Sequence, residues 1–541
     1  MSAKIKRFIL LIILLPLLLM SFRLVAAPSA ETSAYQKVKI YTESKNPAQI
    51  VIAPEKEFIT CFNDSIAGWV EKKLTPALVN QINNRLDPYL KIELNAQGFA
   101  KAATRVLETE KDETNYDAIW VRDNVWVYYA LLQNPNRRAD ARKLLLALWD
   151  YYATDAQIAR FRQIIANPAL STNSMAMPHI RFDGNSPTLD DVMVDGKPQD
   201  WNHRQIDAHG LLFIAIGEAI SQQLIDLNEL TEKRLRVLAL YPLFLQRIKF
   251  YDYEDAGAWE EIPRKNTSSI ALATRSLQVW GKLMSAQNNS AYSKRLKDFL
   301  LKQSTDISNV WSEPSLNTLI SQGLNTVKIQ LRLGGESPNY KPDDVRFRRA
   351  DAALVVLIQP SPLEGLTEDE MRHALLIIET LKRPTGILRY TRDSYQEGNY
   401  WIKSPVADKD APTLTGDTSS NDAFMWRLSQ LIPDTEAQWF FDSLLVLARL
   451  HLAEITKNPQ LRQQDIHAAT VHLKRALGQI TGQGLITADG KSVGAWQAPE
   501  SINTIVIDGR RFFLPSPITP LNWAKAGLSM ALDKYETAIS Q

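Results

Sequence analysis

A chain of 541 residues with a net charge of +2 has neither the basic excess of a nucleic-acid binder nor the acidic excess of a charged tail. Its 45% hydrophobic and 23% charged content is that of a globular protein, long enough to bury a large core. The single cysteine, Cys61, excludes an internal disulfide, and seven scattered histidines beside it offer no metal-ligand spacing, so no metal and no other cofactor is expected.

At the amino terminus Lys4, Lys6 and Arg7 precede thirteen apolar residues, Phe8 to Met20, and then small residues. This is the charged, apolar and small-residue order of an export signal over residues 1–30, and the run is short of the roughly 20 residues of a membrane span. The chain therefore reads as exported, periplasmic or secreted, with an uncleaved anchor as the alternative. Beyond the signal no membrane segment is expected. Residues 31–75 read as an extended, partly β lead-in, with strand-like KVKIYT (37–42) and AQIVIA (48–53). From residue 76 to 541 apolar residues recur at helical spacing, separated by Pro, Gly, Asn and Asp clusters. Predicted helices cover 138–165, 207–227, 269–286, 369–381, 435–456 and 520–535; TIVIDGRRFF (504–513) is strand-like. One large all-α domain follows, of a size that suits either an α/α toroid or an α-solenoid; no short repeat favours the solenoid.

Four segments carry residues of chemical interest. In YDAIWVRDNVWVYYALL (116–132) Arg122 and Asp123 stand inside an apolar helix start, where charges are costly unless paired. An interhelical salt bridge explains them. So does a polar ligand site, with a guanidinium fork, a carboxylate for hydroxyls and Trp120 as an apolar wall. In GAWEEIPRKNTSS (257–269) Trp259 precedes Glu260 and Glu261 before a helix start. They are solvated loop acids favoured by the helix dipole, or one is desolvated against the indole and becomes a general acid. GILRYTRDSYQEGNYW (386–401) gathers Arg389, Tyr390, Asp393, Tyr395, Asn399 and Trp401 more densely than folding alone requires. In GAWQAPESINT (494–504) Glu500 is a loop carboxylate whose interest depends on its neighbours.

In this order the segments resemble the glucoamylase family, glycoside hydrolase family fifteen, including the branch of the phosphorylase-kinase regulatory subunits. The resemblance rests on Trp120-Val121-Arg122-Asp123; Trp259-Glu260-Glu261 before Asn266-Thr267-Ser268-Ser269; Arg389-Tyr390, Asp393, Tyr395 and Gly398-Asn399-Tyr400-Trp401; and Pro499-Glu500-Ser501 followed by Leu521-Asn522-Trp523. Gln205 and Asp207 match the family's Gln-x-Asp helix start. The matches run from 116 to about 532. They imply an (α/α)6 barrel, a six-hairpin toroid, acting on an oligosaccharide or α-glucan. Arg122, Asp123 and Arg389 would grip the terminal glucose.

By the same resemblance Glu260 is the expected general acid and Glu500 the general base, inverting the anomeric carbon across the about 6.5–9.5 Å that leaves room for a water. Glu261 is expected as a substrate contact, or as the acid if the register is shifted by one. Asp207, Trp259, Tyr390, Asp393 and Trp401 complete the expected sugar site. Glu436, a Glu beside a Trp, ranks second to Glu500 as base, because it is read as a first-turn residue of a long helix. Two departures from the family stand out: a longer stretch between Glu261 and Asn266, and Ser501 where the family carries Gln after the base. A non-catalytic sugar-binding or regulatory protein on the same barrel is the alternative.

Overall fold

In the computed structural model, which describes residues 33–103, 116–194, 196–402 and 420–540, six inner elements close a ring. They are Val121–Gln133, Ile206–Ser221, Thr267–Met284, Ala352–Leu357, Asp442–Ile455 and Asn522–Ser540, each packed on the next, with the last returning to the first. The outer layer comprises Pro76–Leu90, Arg138–Tyr152, Glu232–Ile248, Glu313–Leu333, Glu368–Glu379 and Pro459–Gly478. The (α/α)6 barrel that the family resemblance implied is therefore present, and the solenoid that periodicity alone left open is not. The proposed signal, residues 1–30, lies outside the described residues.

The second inner helix is enclosed almost all round: Ile206–Ser221 buries fourteen of its sixteen residues, as a helix walled by core on every side must. Small residues set the spacing between them. A Cβ on Gly210 would lie 2.7 Å from the backbone carbon of Leu272 in the next inner helix.

The fourth inner element departs from the others. Ala352–Leu357 is a short 3-10 helix capped by Asp351, whose Oδ1 accepts from the Ala353 amide at 2.8 Å. Pro360 and Pro362 follow at once, and proline can neither donate nor continue a helix. Two further boundaries moved. The segment 138–165 breaks at Thr154, whose side chain caps Asp155–Ala166. The helix expected from 435 starts at Asp442, because Gln438–Trp439 joins a sheet.

The lead-in is less extended than its pattern suggests. KVKIYT lies within a helix, Ala34–Ser44, with Ser33 as N-cap and Val38 and Thr42 turned to one buried side. Over six residues a strand's period of two and a helix's period of 3.6 are not distinguishable, and the cap decided. AQIVIA does form a strand, Gln49–Ile52, paired with Phe58–Cys61; Asp64–Val70 is a second helix. Lys474 of the outer layer pins this unit by donating to Glu55 at 2.5 Å and to the Lys72 carbonyl at 2.9 Å.

A five-stranded antiparallel sheet lies at one end of the barrel, in the order Arg510–Pro515, Ser501–Ile507, Gln438–Trp439, Gly386–Ile387, Lys382–Arg383. Strand Ser501–Ile507 starts directly after Glu500, and Gly386–Ile387 ends two residues before Arg389. Segments far apart in sequence are thereby brought to one rim.

Candidate active site

Arg122 and Asp123 occupy the first turn of the first inner helix, and both are buried. Arg122 Nε donates to Asp207 Oδ2 at 2.7 Å and Nη2 to Gln205 Oε1 at 2.6 Å, so the charge is paired with the second inner helix. Its Nη1 lies 3.5 Å from Glu260 Oε1. Both readings of the dipeptide are thus realised: an interhelical salt bridge, and a cationic wall of a cavity. Among the described residues Asp123 has no such ion-pair partner across the ring. Burial pushes its carboxyl up to about 7 against the opposing Arg122, with Glu260 adding to the rise.

Glu260 follows a 3-10 turn, Gly257–Trp259, and takes the left-handed conformation, φ 60° and ψ 33°. A non-glycine residue there costs about 1–2 kcal/mol and persists only where surrounding contacts enforce it. Burial raises its carboxyl above the ordinary range, opposed by Arg122 and Arg181, and its Oε1 has no hydrogen-bond partner among the described residues. Glu261 is in the opposite state. Arg389 Nη2 lies 3.0 Å from Oε1, Arg348 Nη2 3.3 Å from Oε2, and Tyr390 Oη 2.7 Å from each oxygen. Burial would raise this carboxyl, yet the guanidiniums of Arg389, Arg348 and Arg264 hold it below its usual range. Two adjacent carboxyls are pushed apart, one toward the acid and one toward the anion.

Glu500 is the third buried carboxyl of the site. Its Oε1 accepts from Tyr116 Oη at 2.9 Å and its Oε2 from Gln396 Nε2 at 2.5 Å. Burial lifts it to about 8 despite both donors.

Trp120, Arg122, Asp123, Trp259, Glu260, Glu261, Arg389, Trp401 and Glu500 line one open cavity of about 870 Å³. Three expected site residues stand behind its wall. Asp207 holds Arg122, Asp393 holds Arg389 through two contacts of 2.6 Å, and Tyr390 holds Glu261. Glu436 does not line the cavity: its Oε1 accepts from the Arg392 amide at 2.9 Å. It lies before the Gln438–Trp439 strand, not in the first turn of the helix.

The sequence left several neighbours unassigned. Trp201, Trp439 and Trp523 add aromatic wall. Arg181, from the strand Arg181–Phe182 that pairs with Ile119–Trp120, lies 4.7 Å from the Trp120 ring and 4.1 Å from that of Trp201. The indole N–H groups of Trp201, Trp401, Trp439 and Trp523 are buried and have no hydrogen-bond partner among the described residues. No sequence pattern marked Trp201 or Arg181, which belong to irregular chain between 167 and 205. Among the described residues no group of three or more His, Cys, Asp or Glu side chains has the arrangement to hold a metal ion.

Buried carboxyls lining one Trp-walled cavity of a six-hairpin barrel are the equipment of a glycoside hydrolase. The family model for Glycosyl hydrolases family 15 matches residues 93–499, and the chain belongs to that family. It is 40% identical over 162 residues, 29% of its length, to the "Uncharacterized lipoprotein YgeQ" of Escherichia coli (strain K12), and spans 61% of that relative. It is 34% identical over 93 residues to the "Putative protein YgeP" of the same organism, covering 17% of this chain and 91% of that one. Among solved structures, the glucoamylase from Saccharomycopsis fibuligera aligns over 85% of this chain and 95% of its own, at 12% identity and a TM-score of 0.47.

Proposed function

We propose that the chain is an exported, inverting glycosidase that releases glucose from α-glucosides of the starch or glycogen type. The observation that carries this reading is the pair Glu260 and Glu500: two buried carboxyls on one cavity, neither neutralised by an ion pair as close as those of Glu261. Glu260 is the general acid. Its proton goes to the glycosidic oxygen as the bond from that oxygen to the anomeric carbon breaks. Glu500 is the general base. It takes a proton from the water that attacks the opposite face of that carbon, which inverts the centre and yields the β-anomer.

The developing positive charge on the sugar is stabilised by Asp123 in a cavity from which the indoles exclude bulk water. Arg122, Asp123 and Arg389 bind the terminal sugar, with Trp120, Trp259 and Trp401 against its apolar faces. The three guanidiniums around Glu261 favour its anion, which supports Glu260 rather than Glu261 as the acid. Export is supported by the amino-terminal pattern and by the word lipoprotein in the name of the Escherichia coli relative.

The test is hydrolysis of maltose, maltoheptaose, isomaltose, trehalose and dextran by the mature chain, followed by proton NMR at early times. Early β-glucose, with a loss of about 100-fold or more (about 3 kcal/mol of barrier) in both Glu260→Gln and Glu500→Gln, is expected. Early α-glucose would replace inversion by retention. Sugar binding with no hydrolysis would favour the non-catalytic reading.

A further inference from the structure

The family carries a glutamine immediately after the candidate base, and here that position is Ser501. A glutamine nevertheless reaches the base, from a different segment. Gln396, fully buried in the loop after Arg389, directs its side-chain amide at Glu500 Oε2. Two side chains of the strand that begins just after Glu500 fix its orientation. Ser501 Oγ donates to Gln396 Oε1 at 2.7 Å, and Asn503 Nδ2 donates to the Gln396 backbone carbonyl at 2.8 Å and lies 3.4 Å from Oε1. Residues 501 and 503 fall on one face of the strand by its two-residue period. With its oxygen occupied by these donors, the amide of Gln396 has only N–H to present to the carboxyl; turned over, it would set a carbonyl oxygen against a carboxylate. Gln396 also takes a left-handed backbone, φ 62°, a strained choice for a residue with a side chain.

We propose that Gln396 is a positioning residue for the base: clamped by Ser501 and Asn503, it orients the Glu500 carboxyl toward the attacking water and holds its anion. This rests on the reading of Glu500 as base. Ser501, the residue after Glu500, then acts on the base through Gln396, whose amide oxygen it holds. Its consequence is electrostatic as well as geometric, since an N–H donor favours the ionised form of the carboxyl it meets. The other charged and titratable groups around Glu500 are Asp123, Arg389, Tyr116, Tyr395 and Tyr400.

α-Glucosyl fluoride isolates the base, because fluoride departs without help from a general acid. The kcat/KM–pH profile on this substrate is compared for the wild type, Gln396→Met and Ser501→Ala, with Glu260→Gln and Glu500→Gln as references. Gln396→Met is expected to move the limb that reports ionisation of the base upward by about one pH unit and to lower kcat about tenfold with KM little changed. Ser501→Ala, which frees the amide without removing it, is expected to move the limb the same way by less, and carries the test if Gln396→Met does not fold. A limb and kcat unmoved in folded variants, with Glu500→Gln inactive, would overturn the positioning role and leave the base assignment standing. Fluoride hydrolysis by Glu500→Gln at the wild-type rate would overturn the base assignment itself, and this inference with it.

Discussion

At the scale of single residues, Glu260 and Glu261 are neighbours in sequence with opposite surroundings, so exchange of each for glutamine should separate chemistry from stability. Glu261→Gln leaves Arg264 without its carboxylate and takes one of two from Arg348 and Arg389, which keep Asp351 and Asp393. Loss of one partner of a buried pair costs about 3–5 kcal/mol, so calorimetry should find a clearly lower Tm. Glu260→Gln removes a carboxyl that burial already strains, so its Tm should hold or rise while activity is lost. Equal destabilisation by both would sink the distinction. Glu500 gives a pH-dependent version of the same argument. Its carboxyl is raised to about 8 from an ordinary 4.5, so the folded chain binds a proton more tightly than the unfolded chain. Stability is then unaffected below the unfolded value, falls as pH rises toward about 8, and levels off above it. Glu500→Gln removes that loss, and its Tm gain over wild type should grow from near zero at pH 4 to a few degrees at pH 9. A gain independent of pH would contradict the raised carboxyl.

At the scale of elements, the close approach of the second and third inner helices hangs on Gly210. A methyl group there would meet the Leu272–Ala273 backbone at 2.7–2.9 Å, which side-chain rotation cannot relieve. Gly210→Ala should therefore cost about 1–3 kcal/mol by forcing the helices apart, and because Asp207 rides on the same helix, it should also weaken binding of maltose. Unchanged Tm and affinity would mean that the pair relaxes freely. Elements also mark what the sequence could and could not disclose. Long helices with an apolar periodicity were legible, as were site residues in adjacent groups such as Arg122-Asp123 and Trp259-Glu260-Glu261. What escaped was decided by partners elsewhere in the chain. Gln396 means little until the strand at Ser501 stands beside it, 105 residues away. Arg181 means little until Trp120 and Trp201 enclose it. The helix Ala34–Ser44 was hidden because KVKIYT satisfies two periods at once. The fourth inner element read as nothing in particular, because six apolar residues before two prolines are too few to show a period.

At the scale of the whole molecule, that short fourth element leaves the barrel with one inner wall thinner than the rest, and a buried ionic chain ties together the helices beside it. His472 on Pro459–Gly478 bridges Asp442 at 2.7 Å and Glu379 at 2.8 Å. Arg449 joins Glu379 and Asp465, Arg372 joins Asp465 and Glu368, and Arg475 joins Asp442. Arg475 reaches on to the carbonyls of Arg383 and Gly386, in the strands that lead to Arg389. With His472 protonated the four cations Arg372, Arg449, His472 and Arg475 balance the four anions Glu368, Glu379, Asp442 and Asp465, of which Glu368 stands at the partly exposed end of the chain. Burial alone would lower the imidazole, but Asp442 and Glu379 raise it above 6.5, while His472 and the arginines hold both carboxyls below their usual range against burial. The signs follow directly. The histidine's contribution is fully present below pH 6.5 and is lost as pH rises through its higher folded value; the carboxylates' contribution is present above about pH 4 and is lost in more acidic solution. Stability supplied by the chain of charges is thus greatest in a mildly acidic window. His472→Gln should lower Tm most near pH 5.5 and progressively less toward pH 9, so its Tm relative to wild type climbs with pH as that of Glu500→Gln does, from a deficit toward zero rather than from zero to a gain, and thermal scans of the two variants across that range check both. A His472→Gln deficit that is constant with pH would show that the imidazole acts there only by its shape and hydrogen bonds, and that the network's balance of charge is not what holds the thin side of the barrel closed.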